Sequence, residues 1–242
     1  MILCHIVLKF SGKGCKMKDD VLEDILGEGD EGYLEEDKIL APLLEEIDTI
    51  EDPGIMSFVR AVLVKAPASF WKMPSSFTGN FHPPDERGDG GGVLHTQRVV
   101  RIAREMTVAQ DRSQEELDHI TAAALIHDIT KGTITPEGKM VYDPMHPYTV
   151  DAFVAFVRSE DEKFTDESKS STLWISDEDL ATILRMVRCH MGSWSPIPET
   201  TPVTSMELTL HLADLLASKL HVMLDGDDQK DWRWKEDESN DE

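Results

Sequence analysis

Cysteine is scarce in this chain, with three residues among 242, and the three lie far apart without a CxxC pair. This spacing argues against a disulfide framework or a zinc ribbon, and it is typical of reduced thiols inside a cell. We therefore expect a cytoplasmic protein. Long hydrophobic runs are also missing: the apolar stretch at residues 1–10 is interrupted by two polar residues, lacks a basic leader and is too short to span a bilayer. We expect no membrane partner.

Basic residues are few as well. Lysine and arginine number 24 against 47 aspartates and glutamates, which gives a formal net charge of −23. A field of that sign repels the backbone of a long nucleic acid, so an extended DNA or RNA partner is disfavoured. A small phosphorylated substrate remains compatible, because a bound metal ion or a few local cations can reverse the field inside one cleft. The oligomeric state is left open.

Alternating strand patterns are rare, and only residues 2–10 and 139–142 have one. Apolar residues instead recur at helical spacing through most of the chain. The predicted helices cover residues 33–50, 54–65, 93–110, 113–129, 147–157, 176–190 and 201–220. Residues 66–92 are rich in proline and glycine and are predicted to form a long loop. The fold class is therefore predicted to be all-α, with few or no strands.

Composition divides the chain into three segments. Residues 1–80 are predicted to form an N-terminal helical extension and the start of the loop, and residues 81–224 the domain that carries the chemistry. Residues 225–242 are an acidic tail with too much charge to pack, which we expect to be disordered.

The adjacent pair His127 and Asp128 ends an otherwise apolar, alanine-rich helix. Burying an imidazole beside a carboxylate is costly unless the two are paired or bind a metal ion, and a divalent cation satisfies both. The alternative is an ordinary polar cap at a helix end. Two more ligand-type residues lie on other predicted helices: His95 follows a run of three glycines, and Asp214 lies within an apolar helix. The four candidate ligands thus come from three separate helices.

The ordered set His95, His127-Asp128 and Asp214 resembles the defining pattern of the HD-domain metal-dependent phosphohydrolase superfamily. The flanking strings GGVLHT and ADLLAS are also similar to those of the family, and the resemblance spans roughly residues 90–220. It implies an HD-domain-like helical bundle with a metal site between the helices. The implied activity is hydrolysis of a phosphate ester by a metal-activated water, with a nucleotide or a similar small molecule as the expected substrate.

The same resemblance implies one or two divalent transition metal ions, because some branches of the superfamily use intervening histidines to hold a second ion. His146 and His190 are the candidates here, with Asp128 as the bridging ligand, although each could instead be a capping or surface histidine. Imidazole and carboxylate ligands favour Mn, Fe, Co, Ni or Zn over Ca.

Three other residues are candidate contacts to the substrate. Lys131 follows the pair as in the family's His-Asp-x-x-Lys string, and we expect it to act with Asp128 as a catalytic residue. Arg98 lies one turn after His95 and is expected to face the cleft, and His82 is expected to reach it from the loop. The alternatives are a surface salt bridge for the arginine and a solvated position for the histidine. Many family members have glycine where this chain has Thr130.

Three other functions remain open from the sequence. One is a phosphodiesterase or 3′–5′ exonuclease acting on cyclic, dinucleotide or short RNA substrates. Another is a non-catalytic module that binds a nucleotide or a partner protein around a structural metal. The last is an oxygenase, because diiron centres with histidine and carboxylate ligands also activate O₂. The presence of both Asp128 and Lys131 favours the hydrolase, because a binding module would be free to lose them.

Overall fold

The computed structural model describes residues 32–79, 81–135, 137–164 and 175–219. The chain divides after Lys38 into two units, Met1–Lys38 and Ile39–Glu242, and the elements that build the site all belong to the second. The predicted strand at residues 2–10 and the predicted tail at residues 225–242 lie outside the described residues.

Short helices precede the site: α1 (Gly32–Leu40), α2 (Leu44–Ile47), α3 (Pro53–Val64) and α4 (Ala68–Lys72). The sequence predicts one continuous helix at residues 33–50, but a 3₁₀ turn at Ala41–Leu43 separates α1 from α2. The cause is Pro42, which has no backbone N–H to donate to a continuous helix. Helix α3 begins where predicted, because Asp52 caps it by accepting a hydrogen bond from the Ile55 amide at 2.8 Å.

The longer helices form the bundle: α5 (Gly91–Ala109), α6 (Gln114–Ile126), α7 (His146–Phe164), α8 (Asp177–Cys189) and α9 (Ser205–Lys219). Ser113 and Glu116 form the predicted capping box of α6, and the Ser176 hydroxyl accepts a hydrogen bond from the Asp179 amide at 3.0 Å where α8 starts. The mainly helical fold expected from the sequence is confirmed. In the described part of the chain, no helix combines the length and apolarity needed to cross a membrane.

Helix α6 lies at the centre of the bundle. It packs against α3, α5, α8 and α9, and residues 118–126 are all buried. The alanines at positions 122–124 allow these neighbours to come close, because small side chains shorten the distance between helix axes. Because α6 is covered on these sides, the residues that follow its last turn, His127 and Asp128, lie in the interior of the protein.

A short antiparallel hairpin follows α6. Strand β1 (Gly132–Ile134) pairs with β2 (Met140–Tyr142), and the Asp143 amide donates a hydrogen bond to the Lys131 carbonyl at 2.9 Å. The sequence predicts β2 within residues 139–142, whereas it does not predict β1, which begins with glycine, a residue that is depleted in strands. The hairpin brings Tyr142 beside the end of α6.

Two loops complete the surroundings of the site. The loop between α4 and α5 contains a 3₁₀ turn at Pro84–Glu86, and the loop between α8 and α9 contains one at Gly192–Trp194. The first loop is anchored through the Glu86 carbonyl, which accepts hydrogen bonds from the Ser75 amide and hydroxyl at 3.0 and 2.9 Å. Helix α5 approaches this carbonyl so closely that a Cβ atom at Gly91 would lie 1.9 Å from its oxygen. Glycine is therefore required at that position.

Candidate metal centre

The helix ends and α9 bring the six predicted ligands together in one buried cluster. They are His95 on α5, His127 and Asp128 after α6, His146 at the start of α7, His190 after α8 and Asp214 on α9. All four imidazoles are at most 1% exposed. Ligand atoms of His95, His127 and Asp128 lie within 4.8 Å of one another, and the same holds for Asp128, His146 and His190. The cluster therefore has two halves that share one carboxylate.

The carboxylate of Asp128 divides its two oxygens between these halves. Oδ1 lies 3.0 Å from His146 Nε2 and 3.6 Å from His190 Nε2. Oδ2 lies 3.4 Å from His127 Nε2 and 2.6 Å from the Lys131 ammonium nitrogen. A carboxylate arranged in this way can bridge two cations.

Asp214 closes the half that contains His95. Its Oδ1 atom lies 2.9 Å from His95 Nε2 and 4.0 Å from His127 Nε2. The carboxylate thus faces the same space as the two imidazoles. The first half consists of His95, His127, Asp128 and Asp214.

Backbone carbonyls fix the orientation of three imidazoles. The Nδ1–H groups of His127, His146 and His190 point to the carbonyls three residues earlier, at 2.7, 2.9 and 2.6 Å. In the neutral ring this assignment leaves the lone pair on Nε2, which is the nitrogen that faces the cluster. Each ring is thus set in the tautomer that binds a metal ion.

The Nε2 atoms of His146 and His190 lie 3.2 Å apart in a buried space, and His146 Nε2 lies 3.0 Å from Asp128 Oδ1. With both Nδ1–H groups bound to backbone carbonyls, two neutral rings would present only lone pairs to each other. His127 Nε2 is buried and has no hydrogen-bond partner among the described residues. A cation at each half would satisfy these nitrogens, and a donor set of imidazoles and carboxylates suits a divalent transition metal ion. The residues present therefore fit the metal ions that the sequence implies.

The pKa values of His95 and Asp128 also indicate that positive charge is favoured in the cluster. Burial alone would lower the pKa of His95, but the facing carboxylates of Asp214 and Glu86 outweigh it and raise that pKa to about 9. Burial opposes ionisation of Asp128, yet the ammonium group of Lys131 holds its pKa well below the ordinary value. The buried carboxylates are thus charged, and protons or metal ions must balance them.

Glu86 is a further candidate residue of the site, and the sequence analysis missed it. Its side chain is fully buried, and its Oε2 atom accepts a hydrogen bond from His82 Nδ1 at 2.8 Å and lies 3.4 Å from His95 Nδ1. A carboxylate behind a metal-binding imidazole orients the ring and raises its basicity. The available signal was the glycine run, since Gly91 is required by the close approach of the Glu86 backbone.

Arg98 occupies a different place from the one expected. Its guanidinium is 2% exposed and binds Glu86 Oε1 at 2.5 Å and Asp85 Oδ2 at 2.5 Å, so it points at the loop before α5 and does not line the cavity described below. The spacing of one helical turn placed Arg98 on the same side of α5 as His95, but it could not show that a loop carboxylate lies between the guanidinium and the cleft.

Thr130, the departure from the family pattern, ties the turn after α6 to α7. Its hydroxyl donates to the His146 carbonyl at 3.0 Å and lies 2.7 Å from the Thr149 hydroxyl. The substitution therefore adds a contact that fixes the start of α7, and with it the position of His146.

A cavity of about 480 Å³ opens beside the cluster, within the usual size range for small-molecule sites. The candidate substrate contacts His82 and Lys131 both line it, as does the candidate ligand Asp214. The rest of the wall is mostly apolar and includes Phe77 and Trp194. A small molecule in this cavity would contact the metal cluster at one end.

Comparison with protein-family models agrees with this arrangement. The model described as the HD domain matches residues 93–219, more than half of the chain, from the start of α5 to the end of α9. The matched span contains all six predicted ligands, whereas His82 and Glu86 lie before it. No curated protein and no solved structure matches the chain.

Proposed function

Because the chain belongs to the HD domain family of metal-dependent hydrolases, we propose that it hydrolyses a phosphate ester of a nucleotide or a similar small molecule. The single observation that carries this proposal is the division of the Asp128 oxygens between two clusters of imidazoles. Two divalent ions held 3.5–4 Å apart are the usual arrangement for displacement at phosphorus.

When bound, the ions supply an activated water and neutralise charge on the phosphoryl oxygens. The six ligands would be His95, His127, Asp128 and Asp214 in one half and His146 and His190, with Asp128 shared, in the other. Burial of the four imidazoles and of Asp128 keeps these side chains in place, and Asp214 faces the cavity. Histidine and carboxylate ligands favour Mn, Fe, Co, Ni or Zn.

Lys131 contributes a fixed positive charge between the cluster and the cavity. Its ammonium group binds Asp128 Oδ2 at 2.6 Å and also lines the cavity, so a phosphate entering from the cavity meets this charge first. Burial disfavours the charged lysine, but Asp128 and Asp214 raise its pKa above the ordinary value. Lys131 is therefore protonated at neutral pH and suited to hold a phosphate oxygen.

The size and charge of the protein favour a small substrate. A net charge of −23 repels a long polyanion, whereas the metal cluster and Lys131 provide local positive charge for one phosphate group. The cavity of about 480 Å³ accommodates a molecule of nucleotide size.

The proposal is tested by measuring metal content and phosphate release together. Full-length protein reconstituted with Mn²⁺, Fe²⁺ or Zn²⁺ should bind two ions per chain by elemental analysis and release phosphate from small phosphate esters. Asp128→Asn keeps the size of the side chain but removes the charge that both halves share, so it should lose both ions and all measurable turnover.

Asp151→Asn is the matched control, because Asp151 is a partly buried carboxylate that pairs with Arg188 at 2.8 Å and takes no part in the cluster. It should keep two ions and full turnover. Protein with two bound ions that releases no phosphate from any ester would overturn the proposal, and so would an Asp128→Asn variant with undiminished turnover. Oxygen consumption by the iron form would point to an oxygenase.

A further inference from the structure

Three exposed aromatic side chains line the cavity beside the metal cluster. Phe81 is 60% exposed, Trp194 59% and Tyr142 40%, and all three contribute to its wall. Within residues 36–79, 81–135, 137–160 and 175–219, no other aromatic side chain is exposed to this degree. In a chain with only 7% aromatic residues, this concentration at one cavity indicates a binding surface.

The position of Trp194 is built by the fold. The chain turns sharply after α8 through Gly192, which has a φ of +53° and which packs so tightly that a Cβ atom there would lie 2.4 Å from the His211 ring. His211 Nδ1 donates to the His190 carbonyl at 2.7 Å, and its ring lies 5.7 Å from that of Trp194. The indole is thus supported on one side by His211 while most of its surface is open to solvent.

The other aromatic residues are also held in place. The rings of Phe77 and Tyr142 lie 5.8 Å apart, which joins the loop before α5 to the hairpin. The Lys219 ammonium group lies 5.2 Å from the centre of the Phe81 ring. The aromatic walls therefore come from separate segments of the chain that meet at the cavity.

The wall is mostly apolar, and two of its hydroxyl groups are already used within the protein. The Ser75 hydroxyl donates to the Glu86 carbonyl at 2.9 Å, and the Ser218 hydroxyl donates to the Leu215 carbonyl at 2.8 Å. Ser76 and Thr78 also line the cavity, and their hydroxyl oxygens lie 3.4 Å apart. Stacking on the face of a flat ring is the interaction to which the exposed aromatic side chains of this wall are suited.

We propose that this wall stacks against the aromatic ring of the substrate, with Trp194 as the principal platform, so that the hydrolysed ester is one that carries a nucleobase. This inference rests on the proposed function, since the ring would lie in the cavity while the phosphate lies at Lys131 and the metal cluster. Trp194 and Phe81 are then specificity-determining residues: they select substrates that carry an aromatic ring by stacking on the face of that ring.

Adenosine and ribose are the matched probes, because they share the sugar and differ in the ring, and neither has a phosphate ester to hydrolyse. Each is titrated by calorimetry into full-length, metal-loaded protein. We expect adenosine to bind and ribose to give no measurable binding at the same concentrations. Trp194→Ala should weaken adenosine binding by about 5- to 150-fold, the range that corresponds to loss of one base–aromatic stack.

Two further variants separate stacking from unfolding. Trp194→Phe keeps a flat ring and should retain most of the affinity for adenosine, whereas Val108→Ala removes an exposed apolar side chain away from the cavity and should change nothing. Thermal unfolding should be alike in all three variants, since Trp194 is largely exposed.

The result also distinguishes this inference from the proposed function. Protein that hydrolyses phosphate esters but binds adenosine no better than ribose would overturn the inference and leave the hydrolase intact. Adenosine binding that depends on Trp194, in a protein that releases no phosphate from any ester, would support the inference and overturn the hydrolase. Unchanged affinity in Trp194→Ala would reject Trp194 as the platform.

Discussion

The two halves of the metal cluster are oriented by different means. In the His146–His190 half, each imidazole donates Nδ1–H to a carbonyl three residues earlier in its own segment. In the other half, His95 faces the side chain of Glu86, which lies in a different part of the chain and is itself held by Arg98. One half is thus oriented locally, whereas the other combines the locally oriented His127 with His95, which depends on long-range contacts.

This difference predicts how each half responds to mutation. Local orientation is built into the helix ends and depends only on the ligand residue and its own backbone. Orientation by Glu86 depends on the loop between α4 and α5, so residues far from any ligand can disturb it. Mutations of ligands other than the shared Asp128 should therefore act directly on the half to which the ligand belongs. Mutations in the loop should act on the His95 half alone.

The largest effect is expected from removing the locally oriented half. The double change His146→Gln and His190→Gln should reduce the bound metal from two ions per chain to one and reduce phosphate release by more than about 100-fold, since changes behind a ligand already cost 10–100-fold. The remaining ion is assigned by electron paramagnetic resonance of the Mn²⁺ form, in which magnetic coupling between two ions should disappear. Loss of both ions would show that the halves are not separable.

A smaller effect is expected from Glu86→Gln, which breaks the long-range orientation. The amide loses the negative charge that faces His95, so affinity of the first half for Mn²⁺ should fall by about 10- to 100-fold while the second half is unaffected. A two-step calorimetric titration measures both affinities. Glu46→Gln changes another buried glutamate, on α2, and should leave both steps as they are. Equal weakening of the two steps would contradict the comparison.

The same contrast explains how much the sequence could predict. The helical fold follows from helical periodicity, and the candidates His95, His127-Asp128 and Asp214 follow from short strings that resemble the HD-domain pattern. The candidates His146 and His190 come only from what that resemblance implies. Glu86 could not be predicted, because it lies in a loop without periodicity and meets His95 only through tertiary packing. Arg98 was assigned to the cleft from its helical spacing, which contains no information about the loop carboxylates that bind it.

Arg98→Lys should weaken metal binding by the half of the cluster that contains His95, but less than Glu86→Gln does. Lysine keeps the charge but cannot bind Asp85 and Glu86 with a planar fork, so the Glu86 carboxylate loses part of its support while it keeps the hydrogen bond from His82. We expect Mn²⁺ affinity in the first step of the titration to fall by about 3- to 10-fold, less than the range for Glu86→Gln. An effect larger than that of Glu86→Gln would mean that Arg98 acts on the site by another route.

The smallest effect concerns a group of metal-type residues outside the site, Glu115, His119 and Asp179, whose ligand atoms also lie within 4.8 Å of one another. This group differs from the cluster because His119 Nε2 is already paired with Asp179 at 2.8 Å and Glu115 is exposed. No buried nitrogen there requires a cation, so Asp179→Asn should leave the metal content at two ions per chain. Loss of an ion in this variant would show that these three residues bind a metal ion although none of their nitrogens is unsatisfied.

Asp179→Asn should instead lower the free energy of unfolding at neutral pH by about 0.2–1 kcal/mol, as for a surface ion pair. Hydrogen bonds from Ser176, and then from His119, lower the pKa of Asp179 below its ordinary value. A carboxyl group with a lowered folded-state pKa stabilises the protein above its unfolded-state pKa, and this contribution is lost as the pH falls through the folded-state value. The difference between the two proteins, measured by urea unfolding, should therefore be full at pH 7 and shrink below about pH 4. If the difference in the free energy of unfolding stayed constant over this range, the charge of the Asp179 carboxylate would contribute nothing to stability.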